Sequence, residues 1–113
     1  MANLEDLRIY KKALALVKEI YRLIKNNPKL LKDFSLNDQL KRAAISVVTN
    51  IDEGYFRSKK QSQNFLRIWS GSANEVVSLL RIINLIYEIN TKDLQEEYKI
   101  LGKQINSFAN TFH

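Results

Sequence analysis

Along almost the whole chain apolar side chains return at steps of three and four, and only three Gly and one Pro are present to break that rhythm. Steps of three and four follow the roughly 100° per residue of an α-helix. A chain this poor in turn-forming residues makes few, long elements. In the first segment Leu7, Tyr10, Leu14, Val17, Tyr21 and Ile24 lie along one side of a helix, and Ile9, Ala13, Leu16, Ile20 and Leu23 form a second stripe beside it. Together they make an apolar face about half the circumference wide, more than one antiparallel neighbour covers.

Asn3 is positioned to cap this helix, and Asn26-Asn27-Pro28 ends it, because the residue before proline is pushed out of the α region. A linker follows whose Leu30, Leu31 and Phe34 are expected to fold back onto the end of the bundle. Ser35 with Asp38 resembles a capping arrangement for a second helix, with inner residues Leu40, Ala44, Val47 and Ile51 flanked by Ala43 and Val48. Ile45 faces away from that stripe. A third helix is expected from Ser58 to about Asn90, with Phe65, Trp69, Val76, Leu80, Ile83 and Tyr87 on its main stripe and Leu79, Ile82, Ile86 and Ile89 as a flank. Thr91 then caps a fourth, whose seam is Leu94, Tyr98, Leu101, Ile105, Phe108 and Phe112. No strand-like alternation, internal repeat or linker competes. The reading is one all-α domain over residues 1–113, an antiparallel up-and-down four-helix bundle.

Composition excludes several classes. With 45% apolar and 27% charged residues the chain is globular rather than disordered, and without cysteine it has neither disulfides nor a thiolate nucleophile. No apolar run approaches the roughly 18 residues of a membrane span, and the first residues lack the apolar core of a signal peptide, so a cytoplasmic protein with no membrane partner is expected. The formal charge of +6 favours nucleic acid or acidic proteins as partners.

Asp52 and Glu53, at the end of the second helix, raise the question of chemistry, since the dipole there disfavours carboxylates. Being adjacent, they diverge by about 100° and cannot share one proton. The single histidine is His113, so no histidine-based triad is available, and no Glu-x-x-His pair marks a di-metal bundle. No cofactor loop is present either: Gly71 to Glu75 lies inside an apolar helix. We therefore expect no catalytic residue, metal or cofactor. Arg42, Ser46, Asn50 and Glu53 on the second helix, with Ser72 and Glu75 on the third, are instead read as a structural polar network, in which Arg42 meets Glu75 or Glu53.

Three stretches carry a resemblance: Asp6-Leu7-x-Ile9-Tyr10-x-x-Ala13, then QLKRAAISVVTNIDEGY from Gln39, and NFLRIWSGSANE from Asn64. Over most of its length the chain resembles the small bacterial proteins encoded in intervening sequences of 23S ribosomal RNA genes. That family is similar to the accessory protein of diversity-generating retroelements, a basic ring that binds nucleic acid and a reverse transcriptase. The resemblance implies an antiparallel four-helix bundle and a homopentameric ring. It covers Arg42, Ala43, Ser46, Asn50, Ile51, Glu53, Gly54, Ser72 and Glu75, none of them established as catalytic. The chain departs from the family pattern at Val48-Thr49, where a Pro-Ser pair is usual, and at Asp52, where alanine is usual.

Charge supplies the functional candidates. Opposite its apolar side the first helix shows Arg8, Lys11, Lys12, Lys18, Arg22 and Lys25, with Glu19 as the main acidic interruption. The third helix adds Lys60, Arg67 and Arg81, and the loop before it Arg57 and Lys59 beside Tyr55 and Phe56. Basic groups interleaved with aromatics suit a phosphate backbone and exposed bases. The expected function is a non-enzymatic homo-oligomer that binds RNA or DNA as an accessory factor. The alternative is a protein–protein scaffold or adaptor with no nucleic-acid role, and a hydrolase stays open only through Glu53 and Glu75.

Overall fold

The computed structural model describes the backbone over residues 4–55 and 59–109, and side chains over 8–50 and 67–107. Within these limits the chain is helical: α1 (Leu4–Asn26), α2 (Pro28–Lys32), α3 (Phe34–Tyr55), α4 (Lys59–Tyr87) and α5 (Lys92–Ala109). The four long helices form an antiparallel up-and-down bundle, and α2 is a single turn at the corner between α1 and α3. In cross-section they make a square: α1 packs on α3 and α5, and α4 packs on the same two, whereas among the described residues the diagonal pairs do not approach. The molecule measures 44 × 21 × 19 Å.

Each helix fills the centre with one stripe. On α3 these are Leu40, Ala44 and Val47, flanked by buried Ala43 and Val48; on α4 they are Trp69, Val76, Leu80 and Ile83; on α5, Tyr98, Leu101 and Ile105. On α1 the central stripe is Ile9, Ala13, Leu16, Ile20 and Ile24, all buried. The neighbouring stripe is spread over the rim, with Tyr10 and Val17 half-buried and Leu14 and Tyr21 45% and 43% exposed. A helix at a corner of the square buries most deeply what points along the diagonal, so half a circumference of apolar residues is more than the core takes. The flank on α4 divides similarly, with Leu79 buried and Ile82 and Ile86 exposed.

The expected fold-back of the linker holds for Leu30 alone, which is fully buried, while Leu31 and Phe34 are exposed. Pro28 opens α2 at the first helical turn, where its missing N–H costs nothing, and within one turn adjacent side chains diverge too far for two to enter the core. Buried Asn37 donates its Nδ2 to the carbonyls of Leu30 at 3.2 Å and Leu31 at 3.0 Å, and the Leu30 carbonyl also accepts the Asp33 N–H at 3.1 Å, so the end of α2 is tied to α3. The cap of α3 is Asp33, not the expected pair Ser35 and Asp38, which lie inside the helix. One carboxylate oxygen of Asp33 accepts the Leu36 N–H at 3.1 Å and the other accepts the Tyr87 hydroxyl at 2.6 Å, tying this corner to the end of α4.

α4 stops at Tyr87, three residues before Asn90. Glu88 takes a φ of 56°, and its N–H donates to the Asn84 carbonyl at 3.0 Å, a left-handed termination that ordinarily selects glycine. Thr91 precedes α5 as expected, but its hydroxyl is turned inward and donates to the Leu80 carbonyl of α4 at 2.8 Å. The first-turn N–H of Lys92 is met instead by Asn90 Oδ1 at 3.1 Å.

Two core polar atoms have no hydrogen-bond partner among the described residues: Trp69 Nε1 and the Tyr98 hydroxyl. Burial pushes the Tyr98 hydroxyl pKa far above that of an ordinary tyrosine. A desolvated donor without a partner costs about 1–3 kcal/mol. Tyr98→Phe is therefore expected to leave the protein as stable as wild type or to raise its stability by up to that amount in denaturant unfolding. A clear loss would reveal a partner for the hydroxyl.

The Asp33–Tyr87 bond predicts a pH signature. Accepting the Tyr87 hydroxyl, and then the Leu36 N–H, lowers the Asp33 pKa, so its contribution is full above the ordinary carboxylate range and fades as pH falls through the lowered folded value. Bonding to Asp33, followed by burial, raises that of Tyr87, so its contribution is full below an ordinary tyrosine pKa, near 10, and fades as pH rises through the raised value. The stability difference between wild type and Tyr87→Phe should be greatest between about pH 5 and 9 and shrink on both sides. A difference independent of pH would show that the ring, and not the bond, matters.

Candidate nucleic-acid interface

Because the core takes the Ile9–Ile24 stripe of α1, the cations on the far side of that helix are left to solvent. Arg8, Lys11, Lys18, Arg22 and Lys25 are all exposed, spread over roughly 25 Å at 1.5 Å per residue. Glu19 neutralises part of this surface through Arg22, with Nη1–Oε1 at 2.8 Å. Lys12 turns toward α5, where its Nζ lies 3.4 Å from Glu97 Oε2. For Arg8, Lys11, Lys18 and Lys25 no carboxylate among the described residues comes within ion-pair distance.

Two members of this face are missed by sequence reasoning. Tyr21 emerges at the α1/α3 rim, and Lys41 of α3 places its Nζ 5.6 Å from the ring centroid, a cation–π arrangement. Tyr21 follows Lys18 by three residues and precedes Lys25 by four, spacing that puts it among the cations as well as in an apolar stripe. That signal was available. Lys29 and Lys32, on α2 after the end of α1, are also exposed.

The basic residues do not all come together. Arg67 and Arg81 are exposed on the outer side of α4, but α4 stands diagonally across from α1, so the two outer faces point in opposite directions. Arg57 lies outside the described residues, with Phe56, and the side chains of Tyr55, Lys59 and Lys60 lie outside them too.

The expected polar network is smaller than the sequence suggests. The Ser46 and Ser72 hydroxyls share a 3.0 Å hydrogen bond across the α3/α4 seam, and Asn50 Nδ2 donates to Ser46 Oγ at 2.9 Å and to its carbonyl at 2.8 Å. Arg42 does not join. Its Nε pairs with Asp38 Oδ2 at 2.9 Å, one turn back, because position 42 falls on the outward side of α3 and its side chain is 80% exposed. Glu75 is exposed and makes no ion pair among the described residues, so it needs no buried partner; the Glu53 side chain lies outside them. Among the described residues no group of three His, Cys, Asp or Glu is placed to hold a metal ion, and no helix is long and apolar enough to cross a membrane.

The profile of the 23S rRNA-intervening sequence protein family matches residues 5–107, nearly the full span of the bundle. The chain belongs to that family. No curated protein and no solved structure matches it. In this member of the 23S rRNA-intervening sequence proteins the matched span holds both the α1 basic face and the Ser46–Ser72–Asn50 seam.

The seam is a packing device, half-buried between α3 and α4 and well away from the outer face of α1. Ser72→Ala should lower stability by about 1 kcal/mol. Ser46→Ala together with Ser72→Ala should cost less than the two single changes added, because both remove the same bond. Denaturant unfolding measures this. Costs that simply add would show that the two hydroxyls do not share a bond.

Proposed function

We propose that this protein is a non-enzymatic RNA- or DNA-binding accessory factor, acting in the cytoplasm as a homo-oligomer that holds its ligand through phosphate contacts on the outer face of α1. One observation carries the reading: four exposed cations on that helix, Arg8, Lys11, Lys18 and Lys25, have no carboxylate partner among the described residues. Cations needed only for solubility are commonly interspersed with acids. Here Glu19 offsets Arg22, and the other cations leave the described part of the face net positive, which is what a polyanion requires. Tyr21 on the same rim offers a ring on which an unpaired base can stack. The family name, which refers to intervening sequences of 23S rRNA, agrees with a nucleic-acid role. A homopentameric ring, favoured by the family resemblance, would repeat the face around one assembly, and the exposed Leu14, Ile45, Ile82 and Ile86 offer apolar surface for subunit contacts.

A second reading is favoured by a different surface. Phe34 is 76% exposed and Leu85 81%, more than a monomer gains from leaving open, and they suit a protein partner for a scaffold or adaptor.

Anisotropy titrations with single-stranded RNA, structured RNA and duplex DNA at several salt concentrations separate the two. Binding is expected with little sequence preference and a steep loss on adding salt. Lys11→Gln, Lys18→Gln and Lys25→Gln together should reduce the log–log salt slope by roughly 2–3, at 0.7–0.9 per phosphate contact. Arg67→Gln with Arg81→Gln reports on the diagonal face separately. No binding to any of the three at about 50 mM salt would refute the nucleic-acid reading and favour the scaffold.

A further inference from the structure

Where α1 meets α5 the surface is concave. A pocket of about 180 Å³ opens there, lined by Arg8, Ile9, Lys12 and Gln104. Ile9, almost fully buried, gives it an apolar floor, while Arg8 and Lys12, one helical turn apart, bring two cations from α1, and Gln104 brings an amide from α5. At roughly 30 Å³ per water molecule the space holds several waters, or a tetrahedral oxyanion with part of its hydration.

We propose that this pocket is a dedicated subsite for one phosphate group of the nucleic-acid backbone, and that Glu97 is the internal anion that occupies Lys12 until the phosphate arrives. It rests on the nucleic-acid reading above and adds a position at which the strand is held in place. Arg8 presents a planar fork that matches two oxygens of a phosphate, and no carboxylate among the described residues pairs with it. Lys12 is committed only loosely: 3.4 Å to Glu97 is longer than the 2.7–2.9 Å of a strong charge-assisted bond, and an ammonium has three donors to share. The Gln104 amide supplies a further donor from the opposite wall, so the ligand is met from both helices. The outer face differs in kind. Its lysines stand on a convex surface and attract phosphates as point charges, whereas the groove fixes where one of them sits.

The arrangement makes opposite predictions for neighbouring residues. Arg8→Gln with Lys12→Gln should weaken single-stranded RNA binding by roughly five- to tenfold and flatten the log–log salt slope by about 0.7–0.9, because two cations serve one phosphate. Two independent surface cations would lose twice that slope. Glu97→Gln should strengthen binding several-fold by freeing Lys12, and should have no effect once Arg8 and Lys12 are both Gln. Circular dichroism checks that each variant is folded, and NMR of the Gln104 side-chain amide during titration with inorganic phosphate reports the pocket directly.

If the Lys11, Lys18 and Lys25 variant weakens RNA binding while the Arg8/Lys12 variant does not, the subsite is refuted and the outer face stands alone. If Glu97→Gln weakens binding, the competitor role is wrong. If wild type binds no nucleic acid but phosphate shifts the Gln104 amide, the pocket survives as a site for free phosphate while the wider function falls. Absence of both refutes both.

Discussion

Four helices in a square leave every helix at a corner, facing two neighbours at once and meeting the fourth only across the diagonal. The rest of the molecule follows from that arrangement. It decides which of two adjacent stripes on α1 is core and which is rim. It puts Tyr21 within reach of Lys41, and the α1 and α4 cations on opposite sides. Burial works radially here: the closer a residue's direction lies to the diagonal, the more completely it leaves water, and the roughly 25 cal/mol per Å² of apolar area follows that angle.

The sequence is legible to the extent that periodicity is. The four long helices, their antiparallel order and the described inner residues of α3, α4 and α5 are recoverable because steps of three and four name a side of a helix without reference to anything else, whereas the single turn α2 is too short to show a period and reads as a linker. The choice between the two α1 stripes is not recoverable in that way, since it depends on where the neighbours stand. Capping misleads for a related reason. Ser35 and Asp38 fit a spacing rule, but Asp33 holds the position because its second oxygen is needed by Tyr87, 54 residues away. Thr91 is at the expected place and does something else, because its hydroxyl is turned inward, donating to the Leu80 carbonyl and accepting from the Gln95 side-chain amide.

The candidate site shows the same division. That α1 is basic on its outer side is plain from spacing, and the structure leaves Arg8, Lys11, Lys18, Arg22 and Lys25 exposed there. Spacing cannot say that Arg67 and Arg81 look the other way, nor that Lys12 spends its charge on Glu97. Arg42 is instructive. Helical spacing puts position 42 on one flank with Ser46 and Asn50 and so predicts a buried partner, yet a few tens of degrees around the helix separate a side chain in the seam from one that is solvated, and Asp38 one turn earlier is the nearer and cheaper counter-ion.

Three of the four seams in the square join helices that follow one another along the chain, counting α2 as part of the corner. The fourth, between α1 and α5, joins the first helix to the last. A connection closes each of the other seams almost for free, whereas this one must overcome the loop entropy of everything between. Its Lys12–Glu97 pair is open to water and holds it weakly. The bundle is thus a ribbon of three hairpin-like joints rolled shut along one edge, and that edge is the line along which it most readily unrolls.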